Sequence, residues 1–242
     1  SYLPRLASAG QLVIPRVNPI DTGLLEQDLA AMVGPNIFAL SVGKVRDAAD
    51  VEGVSRLVED EAREAGLKGG RVRLVIWIEI AAGVVHAYEI CSASPRVLAV
   101  AFGAEDFTND MEIERRDDDQ ELAFARSAIS IAARAAGVLA LDTPYFAFRD
   151  PDGLRENSQT SKGNGFRGRF AIHPAQIDVI NEVYCPSADE SQHAKAVRVA
   201  FDEAEAKGRG STSLDGKVVD VPVVKRAQEL LELADSMGVA RE

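Results

Sequence analysis

Ala99-Val100-Ala101-Phe102-Gly103-Ala104-Glu105-Asp106-Phe107-Thr108-Asn109-Asp110 is the stretch on which the fold turns. An apolar run stops at a glycine, and two adjacent carboxylates follow it. Upstream, Leu74-Val75-Ile76-Trp77-Ile78-Glu79 repeats the pattern, ending on one acid before the small-residue turn Ala81-Ala82-Gly83. Short runs this apolar read as strands of a buried parallel sheet. Two such strands, each with an acid at its carboxyl end, make a clamp of oxygen ligands. A hard divalent ion takes such a clamp and keeps positions open for substrate. The same acids also read as caps of the helices that follow their strands.

Working outward, β-rich runs alternate with amphipathic ones, which is the pattern of βα units. Strands are expected at 12–17, 37–42, 72–79, 97–103, 138–142 and 169–172. Asp21 is the expected cap of a helix carrying Leu24, Leu25, Leu29 and Met32 and ending at Gly34. Val51, Val54, Leu57 and Val58 mark the next helix, which stops near Gly66. Asp118 with Glu121 resembles a capping box before Leu122, Ala125, Ile129 and Ala132, with Gly137 closing that helix. Ser187 with Glu190 repeats the device before Ala194, Val197, Phe201 and Ala204, closed by Gly208.

No Gly-rich phosphate loop follows the first strand, so a doubly wound nucleotide-binding sheet is disfavoured. Every candidate catalytic residue instead falls at a strand's carboxyl end, where a (β/α)8 barrel keeps its chemistry. The expected class is therefore α/β, a TIM (β/α)8 barrel. Six units are visible where eight are required, so two βα units, roughly 50 residues at typical unit sizes, are expected ahead of Leu12. Residues 1–185 form the barrel domain in this reading, and residues 186–242 a C-terminal helical segment.

The 242 residues carry 27 Lys+Arg against 38 Asp+Glu, a formal net charge of −11, and 46% are hydrophobic. The acidic balance argues against a nucleic-acid or anionic-membrane partner, and an anionic substrate then needs a local basic pocket. No apolar run approaches the length of a membrane span. Cys91 and Cys185 form no paired motif, so a reducing compartment is expected: the cytoplasm, or the mitochondrial matrix in a eukaryote.

Ordered segments along nearly the whole chain then resemble one family. They are Arg16-Val17-Asn18-Pro19, Trp77-Ile78-Glu79-Ile80-Ala81-Ala82-Gly83-Val84 and Phe102-Gly103-Ala104-Glu105-Asp106-Phe107-Thr108. Ala133-Arg134-Ala135-Ala136-Gly137-Val138, Leu141-Asp142-Thr143-Pro144-Tyr145, Gly165-Phe166-Arg167-Gly168, Ile172-His173-Pro174-Ala175-Gln176-Ile177 and Gly216-Lys217-Val218-Val219-Asp220-Val221-Pro222 continue the series. Together they resemble the citrate lyase β-subunit-like branch of the HpcH/HpaI aldolase family. The resemblance implies a TIM barrel, usually a homotrimer or a dimer of trimers, whose C-terminal helical segment reaches a neighbour's active site.

It implies further that Glu79 and Asp106 are Mg2+ ligands and that Arg16 binds the 2-oxo acid half of the substrate. Asp220 would be the acid donated in trans by an adjacent subunit. Ala104 and Glu105 fall with Glu79, Asp106 and Arg16 in the implied substrate-binding set. The implied chemistry is Mg2+-dependent cleavage of a coenzyme A thioester of the malyl-CoA or citramalyl-CoA type. Citryl bound to an acyl carrier protein, or hydrolysis of malyl-CoA, are the alternatives. The sequence departs from the family pattern in three places. Ile80 replaces the usual threonine or serine, Ser41-Val42-Gly43-Lys44-Val45 replaces a Leu-Pro-Lys-Val, and an N-terminal acidic strand motif does not occur.

Read from residue types alone, Glu105 is expected to accept hydrogen bonds from its loop, because adjacent residues point apart at a strand end. Asp220 stands before Pro222 and an amphipathic run and reads equally as an N-cap. His173 reads either as a base or as a histidine that holds the barrel top together. His86 and His193 read as structural or solvated. Arg167, Arg169 and Lys217 read either as phosphate contacts or as solvated loop cations.

Overall fold

The computed structural model describes residues 2–116 and 118–238. All six expected strands form: β1 (Arg16–Val17), β2 (Ala39–Val42), β3 (Arg73–Ile78), β4 (Val97–Phe102), β5 (Leu139–Asp142) and β6 (Gly168–Arg169). Each pairs in parallel with the next, in sequence order. Such an order without reversal is that of a barrel wall, whereas a doubly wound sheet reverses at a switch point. The six strands make an open arc with β1 and β6 as its edges. Both edges are shorter than expected. Pro15 has no N–H for the ladder, so the chain before Arg16 touches β2 only through carbonyls: Val13 O accepts from Phe38 N at 2.9 Å and Pro15 O from Ser41 N at 2.8 Å.

Helices occupy the crossovers. They are α1 (Leu3–Ser8), α2 (Leu25–Met32), α3 (Ala48–Glu64), α4 (Ala81–Val85), α5 (Ala87–Ser92), α6 (Ala104–Asp110), α7 (Ala123–Ala136), α8 (Pro151–Gly163) and α9 (Ile177–Tyr184). The two faces of the arc follow from strand periodicity. Leu40, Val42, Leu74, Ile76, Ile78, Val100 and Phe102 join the large core beneath the helices. The intervening Ala39, Val75, Trp77, Ala99 and Ala101 form a separate inner cluster with Phe38, Leu141 and Phe170. A bulge after Leu74 keeps β4 in phase, so Ala99 and Ala101 share the inner face with Val75 and Trp77. That face is built mainly from small side chains around one large one. Trp77 fills it, stacking at 4.6 Å on Phe170 and donating its indole N–H to Ser41 Oγ at 2.7 Å.

Two helix starts differ from expectation. Asp21 sits in a 3-10 turn that ends at left-handed Gly23, so α2 begins only at Leu25, after Leu24, and ends before Val33 rather than at Gly34. Asp118 and Glu121 do not form a capping box. Asp118 accepts from Gln120 N, Glu121 accepts from Arg116 N, and α7 starts after an intervening 3-10 turn. The cause is Asp119, which takes a left-handed conformation (φ 53°) and commits its carboxylate to neighbouring arginines. Other signals act as read: Gly137 closes α7 at φ 73°, and Ser187 with Glu190 forms a full capping box. Asp47, given no role in the sequence reading, caps α3 by accepting from Asp50 N.

That box opens the C-terminal segment: α10 (Ala188–Glu205), the hairpin β7 (Thr212–Leu214) and β8 (Lys217–Val219), and α11 (Val221–Ser236). Ala194, Val197, Phe201, Val219 and Ala227 give it a small core of its own. Among the described residues no helix is long and apolar enough to cross a membrane.

Candidate active site

Inner-face periodicity runs Val75, Trp77, Glu79, so the acid that ends β3 stands directly above the tryptophan. Glu79 is 1% exposed. A buried carboxylate needs its space and its charge provided for. Space comes from two glycines. A Cβ on Gly103 would lie 2.6 Å from Glu79 Cβ and 2.7 Å from Oε2, and a Cβ on Gly43 would lie 2.6 Å from Oε1. Compensation of charge comes from Lys44, whose backbone N–H donates to Oε1 at 2.7 Å, and from Arg16, whose Nη2 lies 3.5 Å from the same oxygen. Arg16 lies over the Trp77 ring, 4.9 Å from its centroid, a cation–π seat that orients the guanidinium. Burial pushes the Glu79 carboxyl above its usual range, Arg16 draws it back, and the Asp106 charge raises it again.

Asp106 lies in the first turn of α6, where backbone N–H groups favour negative charge. It is about half exposed, with Lys44 Nζ 3.9 Å from Oδ1. Glu105 and Asp106 are helical neighbours rather than strand-end neighbours, and they diverge for that reason. Glu105 turns to Arg115, whose Nε is 3.3 Å from Oε1. Its carboxylate is thus engaged by a cation of the loop that follows α6. Ala104 is fully buried and its N–H donates to Thr143 Oγ1 at 3.3 Å, so it builds the floor of the turn and offers no surface of its own.

Beneath this turn runs a ladder of alternating charge. Arg115 meets Asp119 at 2.9 Å, Asp119 meets Arg126 at 2.9 Å, Arg126 meets Asp142 at 3.2 Å, and Asp142 meets Arg169 at 2.8 Å. Asn157 ties into it through Arg169 and Asp119. Arg169 is consequently no phosphate contact. Its side chain is wholly buried and fastens β6 to β5. Arg167 and Lys217 are exposed. His173 accepts from Ala175 N and stacks on Phe148 as the cap of a 3-10 turn, the structural role of its two. His86 links α4 and α5 at the surface, and His193 is exposed on α10. Asp220 caps α11, accepting from Val223 N at 3.3 Å.

A parallel barrel-type sheet thus gathers two acids and two cations at the carboxyl ends of its strands, the place where a barrel fold keeps its chemistry. The chain belongs to the HpcH/HpaI aldolase/citrate lyase family, whose model matches residues 3–174. It is 40% identical over 228 residues to a citrate lyase subunit beta of Leuconostoc mesenteroides subsp. cremoris, covering 94% of this chain and 75% of that one. It is 31% identical to the L-malyl-CoA/beta-methylmalyl-CoA lyase of Cereibacter sphaeroides, covering 92% and 76%. Among solved structures it is similar to the protein CitE of Mycobacterium tuberculosis in complex with magnesium, acetoacetate and coenzyme A. The TM-score there is 0.74 at 29% identity, over 92% of this chain and 78% of that one.

The sequence offers no role for Lys44, Gly43, Gly103, Thr143 or the ladder residues Arg115, Asp119, Arg126 and Asp142. The departure at Ser41-Val42-Gly43-Lys44-Val45 and the glycine at the end of the quoted strand were the available signals.

Proposed function

We propose that this chain is a Mg2+-dependent carbon–carbon lyase. It cleaves a 3-hydroxyacyl-CoA thioester of the malyl-CoA or citramalyl-CoA type to acetyl-CoA and a 2-oxo acid, or runs the reverse condensation. The observation that carries this reading is the buried Glu79, compressed between two glycines and faced by Asp106, Arg16 and Lys44. Among the described residues no group of three or more His, Cys, Asp or Glu could hold an ion. Two carboxylates suit Mg2+, which is commonly held by one or two of them and keeps its remaining positions for water and substrate. Glu79 and Asp106 would hold it, and it would polarise the oxygen that becomes the carbonyl.

The rest falls to the chain itself. Arg16 offers a planar fork to the substrate carboxylate, with its plane held by Trp77 and one edge by Glu79. The hydroxyl O–H bond breaks with its proton passing to solvent and its electron pair forming the carbonyl, and the carbon–carbon bond breaks with its pair going to the thioester α-carbon. Asp220 of a neighbouring subunit then delivers a proton to that carbon, and in condensation it removes one. Its N-cap bond fixes its orientation, which a general acid needs. This assignment requires an oligomer in which the segment 186–242 serves its neighbour, and the family resemblance favours a homotrimer or dimer of trimers. Ala104 and Glu105 support the turn that presents Asp106 to substrate.

A citrate lyase β subunit acting on citryl-acyl carrier protein is the second reading, favoured by the 40% identity to such a subunit. Incubation with Mg2+ and malyl-CoA, citramalyl-CoA, citryl-CoA and citryl-acyl carrier protein, with products identified by mass, tests both readings. Acetyl-CoA with a 2-oxo acid supports the first and acetyl-carrier the second. Free CoA without a 2-oxo acid makes the chain a thioesterase.

A further inference from the structure

One residue, Lys44, touches both carboxylates of the site. Its backbone N–H holds Glu79 at 2.7 Å, and its ammonium lies 3.9 Å from Asp106 Oδ1. The geometry depends on a left-handed backbone, φ 55°, which an L side chain adopts at some cost. Gly43 ahead of it has no Cβ to strike Glu79. A strained residue at a strand end, with each end on a different acid, is an arrangement that packing alone does not require.

The two contacts differ in kind. The N–H bond to Glu79 is short and formed by main chain. The ammonium stands beyond hydrogen-bond reach of Asp106, with both side chains about half exposed. It is a loose counter-ion. Two acids, Arg16 and Lys44 balance each other before any metal binds. A divalent cation on the acids leaves the site two charges positive and repels the ammonium from Asp106. That excess matches a substrate bearing a carboxylate and a developing enolate, of which Arg16 takes the first.

We infer that Lys44 is a substrate-binding residue whose ammonium neutralises Asp106 until the metal arrives and is then released to the anionic substrate. This rests on the metal-site reading above. It couples the two ligands: the metal must displace Lys44, and an anion that receives Lys44 makes the displacement easier.

The test is direct titration of Mn2+, followed by its paramagnetic signal, with and without oxaloacetate as a 2-oxo acid probe. Lys44→Met and Lys44→Gly both keep the N–H that holds Glu79 while removing the ammonium. Each should bind Mn2+ about two- to fivefold more tightly without oxaloacetate, the range of an exposed ion pair. Each should also lose most of the tightening that oxaloacetate produces in the unmodified protein. Their thermal stabilities should diverge, because glycine relieves the φ of 55° and methionine retains it. A strain-only role would move stability and leave Mn2+ affinity alone. If the unmodified protein binds one Mn2+ and both variants match it, the inference is overturned while the metal site stands. If the unmodified protein binds no Mn2+, the metal-site reading falls and the inference with it.

Discussion

Replacing Gly103 by alanine tests whether the space around Glu79 is what makes the site. The Gly103 backbone (φ −105°, ψ 85°) tolerates a side chain, so any penalty comes from contact. The added methyl would lie 2.6 Å from Glu79 Cβ, 2.7 Å from its Oε2 and 3.4 Å from Trp77 Cε3. Carbon contacts settle near 3.5–4.0 Å, so the Glu79 side chain must give way by about 1 Å. Overpacking of this kind costs about 1–3 kcal/mol, and the smaller conformational entropy of an unfolded chain carrying alanine returns about 0.4–1 kcal/mol. A net loss of about 1–2 kcal/mol lowers Tm by roughly 2–8 °C in a chain of this size. The effect on function is larger, because the displaced atoms belong to a metal ligand, and a 1 Å misplacement costs on the order of 100-fold in rate. The assay pairs thermal unfolding with Mn2+ titration and thioester cleavage. Gly53→Ala is the control: nothing lies within 4 Å of its Cβ, and alanine within α3 should raise stability without touching activity. Unchanged kcat/KM and Mn2+ affinity in Gly103→Ala would refute the reasoning.

Glu79→Gln and Asp106→Asn should each abolish Mn2+ binding and cleavage without lowering Tm measured in EDTA; full activity in EDTA would sink the metal site. Burial and Asp106 raise the Glu79 pKa above its ordinary 4.5. The folded protein then binds more protons than the unfolded one between those two values, and stability is lost as pH rises through that window. Glu79→Gln should remove this slope from a Tm-against-pH series in EDTA, and superimposable profiles would contradict it. Arg169→Met removes one of the two arginines on the fully buried Asp142, leaving Arg126 at 3.2 Å, and should cost about 1.5–3 kcal/mol, roughly 3–12 °C in Tm; a shift under 2 °C would mean the ladder does not lock β6 to β5. Asp220→Ala should lose the α11 cap, about 1 kcal/mol, together with cleavage, whereas Asp220→Asn should keep the cap and lose cleavage alone. Mixed Asp220→Asn and Asp106→Asn protomers should regain part of the activity, and mixed oligomers that stay dead would place Asp220 outside its neighbour's site.

Strand positions were readable because parallel strands are apolar on both faces, and the acids stood out as the first charges after apolar runs. Glu79 and Asp106 were legible for that reason, and Arg16 through the segment around it. The strand edges were less so: a pattern of residue types does not show that Pro15 withholds a donor, or that β6 hands its chain to the turn capped by His173. The spacing of Asp118 and Glu121 misled in a more instructive way. A run of acids before an apolar helix looks like capping, yet the intervening Asp119 is drawn to Arg115 and Arg126, partners a spacing rule does not see.

The supporting residues of the site were illegible because their roles are geometric. Gly43 and Gly103 matter through the atoms they lack, and the value of an absent Cβ depends on a carboxylate contributed by a third strand. Lys44 matters through a backbone angle that places a main-chain donor and a side-chain cation on different acids. Arg169 shows the converse. A cation in a glycine-flanked stretch looked available to a phosphate, and the fold spends it on Asp142 because a buried carboxylate at the end of β5 requires a partner. The acids alone therefore indicate where an ion could bind. Whether the site also handles an anion depends on which cations remain half free once the buried acids are satisfied, and here those are Arg16 and Lys44.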